Sequence, residues 1–148
     1  MMDNKRFWRG VLRVLVGLFV FVNIFLLNIV LHEFGHYIAA EYYGLEPEIE
    51  FELGNLKEIS FSLEGVGLAS TSFIDNGDGL EIAIVALIGP FFNLLLGIIF
   101  LFIFVSFKRI EYLAEIGIIG VVVSIGAFVM NILPMEGVDG SLIFRLFG

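Results

Sequence analysis

The sequence predicts an α-helical integral membrane protein, with three transmembrane helices and a small membrane-associated antiparallel β-sheet between the first and the second. Three observations predict it. Hydrophobic residues make up 59% of the 148 and charged residues only 16%, far to the apolar side of ordinary globular usage. Three apolar stretches reach the roughly 20 residues that a helix needs to cross a bilayer. The one hydrophilic region, between the first two of these, alternates with the period of a strand.

The first helix is expected over about residues 14–40, after a basic segment that holds Lys5, Arg6, Arg9 and Arg13. A cleaved signal peptide is not expected, because the apolar run is too long and no small-x-small site precedes the polar residues that follow. A β-rich loop is expected over about residues 46–74. In it "PEIEFEL" alternates Glu48, Glu50 and Glu52 with Ile49, Phe51 and Leu53, and "EISFSLE" alternates Ile59, Phe61 and Leu63 with Glu58, Ser60, Ser62 and Glu64. Gly54 and Asn55 supply a turn, residues 66–73 add a third strand, and the run from Asp75 to Gly79 returns the chain to the membrane. The second and third helices are expected over about residues 80–107 and 116–133. The C-terminal "SLIFRLFG" is too short to span and is expected along the surface.

One domain over residues 1–148 accounts for the length, and repeats and low-complexity linkers are absent. A water-soluble core of this size would not call for 17 phenylalanines; most are expected to face lipid, with Trp8 at the interface. The absence of cysteine excludes thiolate metal sites and a cysteine nucleophile. With a net charge of -8, no nucleic-acid partner is expected.

The only two histidines stand in "HEFGH", residues 32–36, inside the first apolar helix. On a helix, positions i and i+4 differ by about 40° in azimuth, so His32 and His36 share a face and can bind one Zn²⁺. Glu33, about 60° from His36, can serve as general base for a water that such a metal activates. Ionisable side chains cost a few kcal/mol each in hydrocarbon, so this triplet reads as a functional site rather than as packing.

A catalytic zinc takes about three protein ligands, which leaves one to find among Glu41, Glu81, Glu111, Glu115, Glu136 and Asp139. If the first helix leaves the lipid at Glu41, His36 and His32 lie roughly 8 and 13 Å below that surface. Gly89 and Pro90 on the second helix, counted from Glu81, reach roughly the same depth at about 12 to 13 Å. The third helix enters from the far side and runs about 24 Å from Glu115 to Asn131, arriving in this layer. Pro134 and Gly137 then break it, as is tolerated where backbone lines a cavity. Asp139, just past the break, is the expected third ligand, and Glu136 the alternative.

With these residues the chain resembles the site-2 proteases, zinc metalloproteases that cleave substrates within the membrane. The matching segments are "HEFGH" with Ala39, Ala40 and Gly44 behind it, "GPFFN" at residues 89–93, and "NILPMEGVDG" at residues 131–140, in family order on three successive helices. The resemblance implies an intramembrane metalloprotease with one zinc per chain, held by His32, His36 and Asp139. It further implies that Glu33 is the catalytic acid/base, that Asn131 and Asn93 contact substrate or shape the site, and that the loop sheet presents a transmembrane protein or peptide. The likeness is to a minimal three-helix core, since the helices and the PDZ or CBS domains of many family members have no counterpart here. Control is then expected from a regulatory membrane partner or from a second copy of the chain. The alternative is a non-catalytic metal-binding membrane scaffold or transporter subunit, which would have no need of Glu33.

Several further residues carry expectations. Asn28 lies one turn before His32 and could partner its ring, although helix-helix contact is the reading preferred. Gly35, Gly89, Gly97, Gly117, Gly120 and Gly126 are expected at close helix contacts. A multi-pass protein of the cell membrane follows, and two arguments about its orientation conflict. Lys5, Arg6, Arg9, Arg13, Lys108 and Arg109 share one side against Lys57 and Arg145 on the other, which places the N terminus in the cytoplasm and the site towards the outside. The family resemblance implies the reverse.

Overall fold

A computed structural model describes residues 4–50, 70–72 and 79–144. Helix α1 spans Asn4–Tyr42, α2 Gly79–Phe107, α3 Glu111–Ile132 and the short α4 Asp139–Phe144. All of α1 from Phe7, α2 and α3 are long and apolar enough to cross a membrane. Helix α1 begins well before the expected residue 14, and α3 starts at Glu111 rather than at residue 116. At 1.5 Å per residue, 39 residues extend about 58 Å, so α1 is longer than the roughly 30 Å of a hydrocarbon core.

Each helix ends for a local reason. Gly44, at φ +70°, closes α1 in a left-handed cap: its N-H reaches the Glu41 carbonyl at 3.0 Å, and Leu45 N-H reaches that of Ala40 at 3.0 Å. Ala40 and Leu45 then pack with Ala39 and Val85 in a buried cluster. The turn 108–110 between α2 and α3 is tight, with Ile110 N-H bonded to the Phe107 carbonyl at 2.8 Å. Helix α3 stops at Leu133, whose extended backbone (φ -67°, ψ 142°) is what a following proline demands. Gly137, at φ +82°, then turns the chain back into α4.

Two short strands pair antiparallel between α1 and α2: β1 (Glu48–Glu50) and β2 (Ser70–Ser72), with Ile49 opposite Thr71. They fall in the first and third of the three expected strands. The expected strand around residues 59–63 lies outside the described residues.

Contacts along the helices give their directions. Gly35 meets Ile88 while Ile24 packs with Leu96 and Phe100, and Gly97 meets Ser124 while Gly117 meets Phe104, so α2 runs antiparallel to both neighbours. Lipid tails are as apolar as leucine, so helix association in a membrane needs close packing rather than a hydrophobic drive. Small residues provide it here. A Cβ on Gly117 would stand 2.8 Å from the Phe104 backbone, one on Gly97 2.8 Å from Ile125, and one on Gly120 would overlap the Phe100 ring. Gly126 is different: nothing among the described residues lies within 4 Å of its Cβ position, so it is not a contact point between these helices. Ile24, Leu96 and Phe100 form the buried centre of the bundle, whereas Phe19, Phe102 and Val122 are among many large apolar side chains turned outward.

At the end opposite the histidines, Arg13 on α1 bonds Glu111 and Glu115 at the start of α3. This pairing puts the third turn of α1 beside the first two turns of α3.

The glycine contacts yield a direct test. Gly117→Ala is expected to cost about 1–3 kcal/mol, because the added methyl meets backbone that cannot move aside, while Gly126→Ala is neutral. Thermal unfolding of both variants in detergent micelles checks this.

Candidate metal centre

Within α1, the one-turn spacing brings the His32 and His36 rings edge to face, with centroids 4.6 Å apart. Both are buried, at 8% and 6% exposure. Their Nε2 atoms stand 3.1 Å apart. Asp139, in the first turn of α4, closes the triangle: Oδ2 lies 3.0 Å from His32 Nε2 and Oδ1 3.2 Å from His36 Nε2. This is the one group of three or more potential metal ligands among the described residues. Glu136, the alternative third ligand, is exposed in the turn before α4 and is not part of it.

The neighbouring helices make this convergence possible. Gly89 faces His36, and any side chain there would overlap the imidazole. Gly35 brings α1 against the same stretch of α2, with its Cβ position 3.0 Å from the Ile88 carbonyl. Pro90, which has no N-H, leaves the Ala86 carbonyl without its helical partner, in the turn next to the histidines. Asp139 arrives because Gly140 lets the start of α4 lie on the last carbonyls of α3; a Cβ at 140 would overlap Leu133 and Ile132 oxygens.

The donor set suits a metal ion. His36 Nδ1 sits 2.8 Å from the Val85 carbonyl, which can only accept, so Nδ1 carries a proton and, in the neutral ring, Nε2 carries the lone pair. Asp139 Oδ2 is buried and has no hydrogen-bond partner among the described residues, despite its short distance to His32. Atoms bound tetrahedrally to zinc at about 2.0–2.1 Å lie roughly 3.3 Å from one another. The His32 and His36 Nε2 atoms, 3.1 Å apart, come within a few tenths of an ångström of one edge of such a tetrahedron, and the Asp139 carboxylate approaches each of them through a different oxygen, at 3.0 and 3.2 Å. Two imidazoles and a carboxylate also match zinc in chemical type.

Glu33 lies beside the cluster without joining it. It is buried at 9% exposure, and its Oε2 accepts a 2.8 Å hydrogen bond from the Thr71 hydroxyl on β2. The same hydroxyl stands 3.1 Å from the Glu33 carbonyl. Thr71 is absent from the expectations: it belongs to a stretch legible only as a strand, with no residue pattern that ties it to α1.

The asparagines divide. Asn93 is 1% exposed, and its amide Nδ2 stands 3.0 Å from His32 Nδ1. Asn131 is half-buried in the last turn of α3. Asn28 does not reach His32; its Nδ2 donates to the Ile24 carbonyl at 2.9 Å, one turn back on its own helix.

No family model, curated protein or solved structure matches the chain. The functional argument accordingly rests on the geometry of these residues.

Gly89→Ala is expected to push the His36 ring out of the triangle and to weaken zinc binding by about tenfold or more, the scale on which misplaced ligands act. Metal content after dialysis against a fixed free-zinc buffer measures it, with Gly126→Ala as the folded control.

Proposed function

We propose that this chain is an intramembrane zinc metalloprotease of the site-2 protease type, which hydrolyses peptide bonds of transmembrane substrates. The observation that carries the proposal is the triangle of His32, His36 and Asp139 donor atoms, with the non-ligating Glu33 carboxylate held beside it. His32, His36 and Asp139 hold the metal, and Glu33 moves the protons. A structural zinc site is closed by four protein ligands, whereas a catalytic one keeps a position open. The three ligands among the described residues favour the catalytic reading over a scaffold.

When bound, zinc supplies a Lewis acid that polarises the substrate carbonyl and acidifies water. The chain's own residues do the rest. The Thr71 hydroxyl engages one oxygen of Glu33 and leaves the other to take a proton from the attacking water. Hydroxide adds to the peptide carbonyl carbon; the C-N bond then breaks as Glu33 returns its proton to the departing amine. One water is consumed, and a carboxylate and an amine are formed.

A helical substrate hides its carbonyls in i to i-4 bonds and must be extended before it can react. The β1-β2 sheet, tied to Glu33 through Thr71, is the element suited to hold it so, by pairing with it as an added strand. Half-buried Asn131, by resemblance, contributes to binding the extended backbone, and a regulatory membrane partner or a second copy of the chain supplies control. Three helices long and apolar enough to cross a membrane support a location in the bilayer of the cell membrane.

The test pairs two measurements on the natural protein and Glu33→Gln. Zinc is expected to stay near one per chain in both, while cleavage of a membrane-embedded reporter helix falls by about 10²-fold or more in the variant, the scale of lost general acid-base catalysis. Unchanged cleavage in Glu33→Gln contradicts the role given to Glu33. Zinc binding without cleavage of any helix, including ones with helix-breaking residues, favours the scaffold.

A further inference from the structure

The two histidine rings are fixed by unlike partners. His36 Nδ1 donates to a main-chain carbonyl, that of Val85, so its tautomer does not depend on any side chain. His32 Nδ1 faces the amide of Asn93, 3.0 Å away, between two buried residues. At 1% exposure, this amide meets His32 rather than anything arriving from outside.

An amide has two ends of nearly the same shape, and which end faces a ring is set by the hydrogen-bond network. Nitrogen at the contact donates to His32 Nδ1, which forces the proton of a neutral ring onto Nε2. That proton would point into the triangle, where His36 Nε2 stands 3.1 Å away, and no lone pair would be left for a metal. Oxygen at the contact does the opposite: Nδ1 keeps the proton and Nε2 is bare. With Nδ2 at the contact, Asn93 Oδ1 is a buried oxygen without a partner among the described residues, and a half-turn of the amide gives it one.

We propose that Asn93 is a positioning residue of the metal centre, whose side-chain carbonyl accepts a hydrogen bond from His32 Nδ1-H and so presents His32 Nε2 to the metal. This rests on the metal site proposed above. It assigns Asn93 a role through His32, distinct from contact with substrate, and makes it the replaceable member of a pair whose other half is backbone. Partners of metal-bound imidazoles of this kind set ligand orientation and basicity.

The test uses the full chain in detergent micelles and reads zinc affinity by competition with a chromophoric chelator. Asn93→Leu, close in shape but unable to accept, is expected to weaken binding about 10- to 100-fold. Asn93→Asp, which can only accept, is expected to keep the natural affinity or exceed it. Equal affinity in Asn93→Leu, or an Asp variant as weak as the Leu variant, overturns the proposal and points to helix packing. Nitrogen-15 spectra of histidine-labelled, zinc-loaded natural protein decide the matter without a variant: a proton on Nδ1 of both rings supports the proposal, and a bare Nδ1 on His32 overturns it. Failure of the natural protein to take up zinc is a different result, which removes the metal centre itself.

Discussion

Everything in this structure turns on bringing two imidazoles and a carboxylate within about 3 Å of one another in a largely buried site, where water solvates them poorly. Two imidazole nitrogens and a carboxylate oxygen so placed repel unless a cation or a proton lies between them. The rest of the chain reads as the means of holding them there. Helix α1 carries both histidines on one face, α2 gives up a side chain at Gly89 to admit the His36 ring, and α3 breaks at Pro134 so that α4 can return Asp139.

That demand also explains the architecture around the site. Helix α2 lies between the other two and runs against both, with glycine at the points of closest approach. Because lipid gives no hydrophobic drive, these approaches and a few buried hydrogen bonds, worth about 0.6–2 kcal/mol each in membranes, are what fix the register of the ligands. At the far end, the Arg13 pairing with Glu111 and Glu115 sets α1 beside α3 and so aligns His32 with the chain that returns after α3. The sheet joins the site through Thr71, which is how a surface element comes to touch a buried carboxylate.

Much of this was legible in the sequence, for reasons that differ by residue. Helical periodicity alone places His32 beside His36, and counting residues from each expected membrane surface brings Asn131 to the same layer, with Asp139 just past the break that follows it. The exclusion of Glu136 needed the actual path of the turn, because ligand chemistry does not separate an aspartate from a glutamate three residues away. Helix ends were harder: α1 and α3 run past their apolar stretches into charged turns, since helix continues wherever backbone bonds can, not only where side chains are apolar. The glycines were read as contacts by type, and Gly126 shows the limit of that rule, as its face points away from the neighbouring helices. The contacts of Thr71, Val85 and Asn93 join residues far apart in the chain, through a hydroxyl, a carbonyl and an amide that have no periodic signature.

The central claim is a zinc ion bound by His32, His36 and Asp139, and X-ray absorption of the purified, zinc-loaded chain tests it most directly. The account predicts one zinc in a shell of nitrogen and oxygen donors at about 2.0–2.1 Å, with outer-shell scattering from two imidazoles that is halved in His36→Ala. A protein that retains no zinc, or a zinc shell without imidazole scattering, would contradict it.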